Sequence, residues 1–207
     1  CANAFTGRKG ELAVRRTCLA AAREFGISVR EILVASTGVI GVDLPLDVME
    51  RGLRRANVAL KMEAALGRRG ADDASKAIMT TDTKSKISAR TVKMDSGVFH
   101  VFGMAKGAGM IRPGMATLLA FVVTDIAAPR PALQRATKDA ADASFNRISI
   151  DGDRSTNDSF FVLASGASGL SVANPDVAKA FQSALGEVSS DLARAVVEDG
   201  DGSEEAA

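Results

Sequence analysis

A glycine-broken turn followed by an apolar run constrains this chain more than any other feature. Residues 105–125 read AKGAGMIRPGMATLLAFVVTD. Glycine and proline disfavour a helix here and allow tight backbone geometry with positive φ. From Leu118 the run LLAFVV is long, apolar and rich in β-formers, which predicts a buried strand. The loop therefore delivers Thr117 to the start of a strand. The residues that disfavour a helix are Gly103, Gly107, Gly109, Pro113 and Gly114.

Thr117 is the candidate nucleophile. If the bond between Ala116 and Thr117 breaks, the threonine gains a free α-amine beside its own hydroxyl, and that amine can act as the general base. The single histidine, His100, lies in a predicted strand, and no spacing ties it to a serine in a Ser-His-Asp triad. We therefore predict self-cleavage before Thr117 and expect His100 at a surface or hydrogen-bonded strand position.

Composition excludes several classes of partner. An apolar fraction of 46% and a net charge of +1 give no reason to expect disorder or a nucleic-acid footprint, which needs a clustered basic surface. Two cysteines, Cys1 and Cys18, make no disulfide framework, and no CxxC or HxxxH spacing offers a zinc site. We expect a protein of the reducing cytoplasm without metal, nucleic acid or a membrane span.

Helix and strand patterns are mixed along the chain. Crossover helices together with a hairpin predict a mixed α/β fold, with a mixed sheet and helices packed outside it. The segment 67–74 is predicted to be a charged loop. Helices are predicted at 11–25, at 44–66 as one helix or two, at 129–145 and at 174–197. Strands are predicted at 31–36, 87–92, 98–104, 118–123 and 159–166, with a hairpin turn at 95–97.

Six short motifs follow one another in a fixed order. Each alone is weak, because short glycine-rich strings recur by chance, but six in register across almost the full length are specific. They are CANAFTG at 1–7, STGVIG at 36–41, MTTDT at 79–83, AKGAGMIRPGMATLLAF at 105–121, SIDGDRSTNDS at 149–159 and EDGDG at 198–202. In these motifs the chain resembles the ornithine acetyltransferase / glutamate N-acetyltransferase family of arginine biosynthesis.

The resemblance implies a fold and a chemistry. The fold is of the N-terminal-threonine-nucleophile type, with stacked mixed sheets and helices packed outside. The activity is acetyl transfer from N-acetylornithine to glutamate through an acyl-threonine, without a cofactor, and acetyl-CoA is left open as a further donor. Residues 1–207 would form one catalytic-core domain, cut into an α part, 1–116, and a β part that begins at Thr117. The two parts would assemble as an α/β oligomer, a heterotetramer.

The resemblance also implies roles for single residues. Asp201 stands where the family has a glutamate in a DGEG motif and is one methylene shorter, and Gly114 replaces a residue that is often asparagine. The implied roles are nucleophile for Thr117, oxyanion hole for Thr37 and Gly38, substrate contact for Thr80, Lys106, Thr117 and Asp201, and self-cleavage between Ala116 and Thr117.

Two rival functions stay open at this point. One is an N-terminal-nucleophile amidase or aminopeptidase, in which water replaces glutamate as the acyl acceptor, so that free acetate is released. The other is a non-catalytic fragment of such an enzyme. The chain starts with Cys1 inside a family motif and covers about half of a typical member, so we interpret it as a fragment truncated at both ends.

Two further motifs are set aside. DGDRSTND at 151–158 resembles a calcium loop, but Thr156 stands where the loop needs glycine and Val162 where it needs glutamate. We expect its hydroxyls and carboxylates to tie turns together near the site. KGAG, beginning at Lys106, lacks the GxxxxGK[ST] pattern, and no helix follows it to bind phosphate.

Overall fold

The computed structural model describes most of the chain as two compact units, Cys1–Ala71 and Asp72–Ala207, and each is described by itself. Ala116 and Thr117 lie outside the described residues, so the cut between them and the single catalytic-core domain stay predictions. The described residues are 1–62, 67–109, 118–150 and 155–201.

The first unit contains two long helices. Helix α1, Gly7–Phe25, confirms the helix predicted at 11–25 and begins four residues earlier. It ends at Gly26, whose φ of 70° is the left-handed conformation that glycine adopts at little cost. Helix α2, Leu46–Met62, packs against α1 and confirms a helix within the range predicted at 44–66.

Two predictions of local structure are wrong. The segment 31–36 is predicted as a strand, but Glu31 ends a short 3-10 helix, Val29–Glu31, and residues 32–36 pair with no strand among the described residues. A capping box between Ser28 and Glu31 stabilises a helical turn there instead. Residues 67–74, predicted as a charged loop, belong to helix α3, Gly67–Ala77. Charged residues are compatible with a helix when they occupy its solvent-facing positions.

The second unit is built on a four-stranded mixed sheet. Its strands are β1, Lys86–Met94; β2, Gly97–Lys106; β3, Leu119–Thr124; and β4, Ser159–Ala164, in that spatial order. β1 and β2 form the predicted antiparallel hairpin, β3 pairs antiparallel with β2, and β4 pairs parallel with β3. The mixed α/β class is therefore confirmed. The described residues form one sheet, and the stacking of a second sheet on it stays a prediction.

Two helices cover one face of this sheet. Helix α4, Arg130–Ala143, lies between β3 and β4 in the chain and provides the crossover that a parallel pair requires. Helix α5, Pro175–Asp201, packs against β1, β2 and α4. Both predicted helices are confirmed, although α5 continues four residues beyond the predicted end at 197. None of the helices in the described ranges is long and apolar enough to cross a membrane.

The opposite face of the sheet carries His100. Its backbone N–H donates to Oδ1 of Asp125 at 2.7 Å, and its Nδ1 lies 2.9 Å from Oδ2 of the same carboxylate. The side chain is 60% exposed. The expectation of a surface or hydrogen-bonded strand position is therefore confirmed.

Gly103 lets α5 approach the sheet closely. Gly103 belongs both to the glycines that disfavour a helix and to the strand predicted at 98–104, and it lies inside β2 with a φ that is not positive. A Cβ at Gly103 would lie 2.7 Å from Cγ1 of Val188 and 2.9 Å from Cδ1 of Leu192. Glycine is therefore required here by the close approach of a helix rather than by a turn.

Gly103→Ala is expected to lower the free energy of unfolding by about 1–3 kcal/mol, because the added methyl overpacks the contact between α5 and β2. Urea unfolding measures the change. Gly186→Ala is the matched control, because Gly186 lies inside α5 and a Cβ there meets nothing within 4 Å. The control should raise the free energy of unfolding by about 0.5–1 kcal/mol. A Gly103→Ala protein as stable as the wild type would contradict this account.

Candidate functional site

A polar cluster with four buried charged side chains, Asp82, Lys86, Lys106 and Asp199, lies at one end of the sheet, and we refer to it as the two-lysine cluster. Lys86 is the first residue of β1 and pairs with Ala105, the neighbour of Lys106 at the end of β2. The antiparallel hairpin therefore brings both lysines to the same end of the sheet. The last turn of α5 reaches this end as well. The members of the cluster are Thr80, Asp82, Thr83, Lys86, Lys106, Gly107 and Asp199.

Lys86 is the central charge of the cluster. Its ammonium lies 2.7 Å from Oδ1 of Asp82 and 2.5 Å from Oδ2 of Asp199, and all three side chains are fully buried. It also donates to the carbonyl of Lys84 at 3.3 Å. A buried ion pair is tolerated only when additional hydrogen bonds satisfy its remaining atoms. Two carboxylates around one ammonium therefore need further donors.

Backbone and hydroxyl donors supply those bonds. Asp82 accepts from the N–H of Thr80 at 3.1 Å and from the N–H of Gly107 at 2.6 Å. Asp199 accepts from the N–H of Thr83 at 3.1 Å and from its hydroxyl. The two carboxylates thus connect the TTDT loop to the end of β2 and to the end of α5.

Both carboxylates are held in the ionised form. Burial by itself raises the pKa of Asp82 and of Asp199. The hydrogen bonds from Lys86 and from the loop donors outweigh burial, so the pKa of each carboxyl is lowered below its usual value. At neutral pH the TTDT loop is therefore fastened by two charged acceptors.

Lys106 and Thr80, two predicted substrate contacts, are brought together by the fold. Lys106 is 1% exposed, and its ammonium donates to the hydroxyl of Thr80 at 2.6 Å. The nearest carboxylate oxygen among the described residues lies 4.0 Å away on Asp82. Burial lowers the pKa of Lys106, and the charge of Asp82 opposes this shift. The substrate-binding roles of the two residues stay predictions.

The residue after Thr117 is held by Asp158. The N–H of Leu118 donates to Oδ1 of Asp158 at 2.8 Å, and Leu118 is 2% exposed. Burial raises the pKa of Asp158, while the hydrogen bond from Leu118 and the charge of Lys106 act against that shift. The expectation that carboxylates of 151–158 tie turns together near the site is confirmed for Asp158.

Thr37 and Gly38 lie in the first unit, where Gly38 begins a bend, but the buried strand predicted before them is absent. Gly38 has a φ of 128°, and a Cβ there would lie 2.8 Å from the nitrogen of Cys1. The hydroxyl of Ser36 donates to the carbonyl of Ala2 at 2.8 Å, so the CANAFTG segment fastens this bend. Thr80 and Lys106 belong to the other unit, and the oxyanion role of Thr37 and Gly38 stays a prediction.

Asp201 is the last residue of α5, and its side chain lies outside the described residues. The helix end lies close to the loop after Lys106, because a Cβ at Gly200 would be 3.2 Å from the carbonyl oxygen of Ala108. The predicted substrate contact of Asp201, like the role of Thr117, stays a prediction.

Sequence reasoning missed three residues that organise the site, Asp82, Lys86 and Asp199. Asp82 and Asp199 belong to the TTDT and EDGDG motifs, so motif membership was a signal that pointed to them. Asp158 belongs to the stretch 151–158, whose carboxylates are expected to tie turns together. Lys86 had no signal, because a lysine at the start of a hairpin strand is usually a surface residue.

Lys86→Met is expected to lower the free energy of unfolding at neutral pH by about 3–5 kcal/mol, because it leaves two buried carboxylates without their counter-charge. Lys84→Met is the matched control. Lys84 lies two residues away and pairs with Glu198 at 3.7 Å through exposed side chains. Its loss should cost about 1 kcal/mol or less. Urea unfolding measures both, and equal costs would contradict the central role of Lys86.

The difference in free energy of unfolding between the wild type and Lys86→Met should depend on pH. Because the folded pKa values of Asp82 and Asp199 are lowered, their contribution to stability is present above the unfolded pKa of about 3.9 and is lost as pH falls through the folded values. Without Lys86, burial dominates and protonation favours the folded state. The stability difference between the wild type and Lys86→Met should therefore narrow in acid, and a constant difference would contradict the assignment.

A family model described as the ArgJ family matches residues 1–207 of this chain. Several relatives named arginine biosynthesis bifunctional protein ArgJ are similar over nearly the whole chain. The protein of Dehalococcoides mccartyi is 41% identical over 204 residues, which covers 98% of this chain and 48% of that protein. Those of Symbiobacterium thermophilum and Geobacter sulfurreducens are each 44% identical over 203 residues, which covers 97% of this chain and 49% and 50% of the relative.

A solved structure is also similar in part. The crystal structure of arginine biosynthesis bifunctional protein ArgJ from Bacillus halodurans is 36% identical, with a TM-score of 0.48, over 56% of this chain and 57% of that chain. The chain spans about half the length of the curated relatives it matches. The resemblance predicted from the six motifs is confirmed, and the chain belongs to the ArgJ family.

Proposed function

We propose that this chain carries much of the catalytic core of an acetyltransferase of arginine biosynthesis, which moves an acetyl group from N-acetylornithine to glutamate. Its relatives are named arginine biosynthesis bifunctional proteins. The observation that carries the proposal is the 2.6 Å hydrogen bond from the buried ammonium of Lys106 to the hydroxyl of Thr80, an exposed residue. It lies at the end of β2, eleven residues before the candidate nucleophile Thr117.

The environment of Lys106 suits a carboxylate ligand. Its ammonium is buried, its pKa is lowered by that burial, and its nearest described carboxylate is 4.0 Å away rather than in direct contact. A substrate carboxylate would therefore gain a charge-assisted hydrogen bond, among the strongest that proteins form. Both N-acetylornithine and glutamate carry an α-carboxylate. The hydroxyl of Thr80 accepts from Lys106 and retains its own proton to donate to the same ligand.

The proposed reaction proceeds through a covalent acyl-enzyme. The hydroxyl of Thr117 attacks the acetyl carbonyl of N-acetylornithine, and the freed α-amine of Thr117 takes the hydroxyl proton. Thr37 and Gly38 stabilise the oxyanion. The amide C–N bond then breaks, and ornithine leaves with the proton. The amine of glutamate attacks the acetyl ester, releasing N-acetylglutamate and regenerating the threonine hydroxyl. The acetyl group stays bonded to the enzyme, so the transfer itself uses no cofactor.

The sheet supports association of the two parts after cleavage. The proposed cut lies between β2 and β3, which pair antiparallel from Val101 opposite Thr124 to Lys106 opposite Leu119. The α part would thus remain hydrogen-bonded to the β part across the middle of the sheet. We propose that the two parts assemble as an α/β oligomer, a heterotetramer, which acts on small molecules in the cytoplasm. An acetyl-transfer assay with acetyl-CoA tests whether it is a further donor.

The self-cleavage step is tested by intact mass. With native flanking sequence present, the wild type should separate into two pieces, the second beginning at Thr117, because the released amine is the base that the chemistry needs. Thr117→Ala should stay a single chain with the same circular dichroism spectrum. A wild type that also stays whole would contradict the assignment of the nucleophile.

The substrate-binding step is tested by Lys106→Met against Lys84→Met. Loss of the charge-assisted bond from Lys106 should lower kcat/KM for transfer to glutamate by about tenfold to a hundredfold, or roughly 1.5–3 kcal/mol. Lys84 is half exposed and should have little effect. Labelled N-acetylornithine reports the product. Equal small effects would make Lys106 a structural residue, and free acetate instead of N-acetylglutamate would favour the amidase.

A further inference from the structure

We propose that Asp158 is a positioning residue for the Thr117 nucleophile, because its carboxylate fixes the peptide that joins Thr117 to Leu118. This inference rests on the proposed function and adds a residue to it. Asp158 is assigned no contact with substrate. It acts through the backbone next to the reacting group.

Two consecutive residues hold both backbone polar groups of Leu118. The N–H of Leu118 donates to Oδ1 of Asp158 at 2.8 Å, and the carbonyl of Leu118 accepts from the N–H of Ser159 at 2.8 Å. Leu118 is 2% exposed, so water does not compete for either group. A buried N–H left without an acceptor costs free energy comparable to a lost hydrogen bond. The side chain of Asp158 therefore supplies a bond that the local fold requires.

The bond lies just before the regular strand pairing begins. The parallel register of β3 with β4 starts at Leu119 opposite Ser159. One residue earlier, the N–H of Leu118 donates to the carboxylate of Asp158 rather than to a backbone carbonyl of the neighbouring strand. Local bonds fix the approach of Asp158, since the N–H of Asn157 donates to the hydroxyl of Ser155 at 3.2 Å and the hydroxyl of Ser159 donates to the carbonyl of Asn157 at 3.2 Å.

The consequence for Thr117 follows from covalent geometry. The nitrogen of Leu118 is bonded to the carbonyl carbon of Thr117, and the peptide between them is planar. Fixing Leu118 on both sides therefore holds this peptide plane, which includes the Cα of Thr117 to which the side chain and the freed amine are attached. A displacement of about 1 Å at a reacting group lowers the rate on the order of a hundredfold. A lost anchor next to the nucleophile should therefore affect the chemical step.

Two substitutions separate the acceptor from the charge. Asp158→Asn keeps an oxygen at the acceptor position and removes the charge, whereas Asp158→Ala removes the acceptor. Asp125→Ala is the matched control, because Asp125 also accepts a strand N–H, that of His100 at 2.7 Å, and follows the last residue of β3, whereas Asp158 binds the residue before the first. Each protein is assayed with native flanking sequence for cleavage before Thr117, for kcat and KM of acetyl transfer, and for amide hydrogen exchange at Leu118.

Asp158→Ala should slow cleavage and lower kcat by about a hundredfold with little change in KM, while the Leu118 amide loses protection from exchange. Asp158→Asn should keep both the protection and most of the rate, and Asp125→Ala should match the wild type. If Asp158→Ala does not fold, replacing Leu118 by its α-hydroxy acid deletes the same N–H and should give the same loss.

Three results would overturn the inference. Leu118 could remain protected in Asp158→Ala, the rates of Asp158→Ala could equal those of the wild type, or Asp158→Asn could be as slow as Asp158→Ala while Leu118 stays protected. The exchange measurement needs no acetyl transfer. A wild type that neither cleaves nor transfers acetyl therefore contradicts the proposed function, while exchange at Leu118 still decides whether Asp158 holds this peptide.

Discussion

The buried ammonium of Lys86 is the interaction on which the functional end of the second unit depends. It lies between Asp82 and Asp199 at hydrogen-bond distance, and the three charges have no access to water. Such a group is stable only when every partner is in place. Each carboxylate completes its bonding with N–H groups of the loops, so the ion cluster also sets the path of the TTDT loop and of the chain after β2.

That constraint explains why the contact between Lys106 and Thr80 is well defined. Asp82 accepts from the backbone N–H of Thr80, one member of this contact, and from that of Gly107, the residue after the other member. Side chains that bind a ligand are most effective when their own surroundings hold them before the ligand arrives. If Lys106 and Thr80 bind substrate as proposed, the charged cluster around Asp82 provides that support.

The buried ion cluster also depends on the close packing of α5. Gly103 in β2 and Gly200 near the end of α5 both stand where a Cβ would collide with a neighbour. They allow the helix to lie near the sheet, which brings Asp199 to Lys86. On the other flank, Asp158 holds Leu118 at the start of β3. The candidate site is thus enclosed by supports from a helix, a hairpin and the approach to a parallel strand.

The sequence by itself determined the family, the mixed α/β class and the pairing of the central hairpin, because motif order, hydrophobic periodicity and a short turn are local properties. The family resemblance also pointed to Thr80 and Lys106, and the structure brings these two residues into contact. The sequence mispredicted 31–36, which pair with no strand among the described residues, and 67–74, whose charged residues belong to a helix. Only the tertiary structure decided the roles of Lys86, Asp158 and Gly103. Each role depends on partners that are distant in sequence. A local sequence pattern does not predict which residue is buried, which charge pairs with it or where a helix packs.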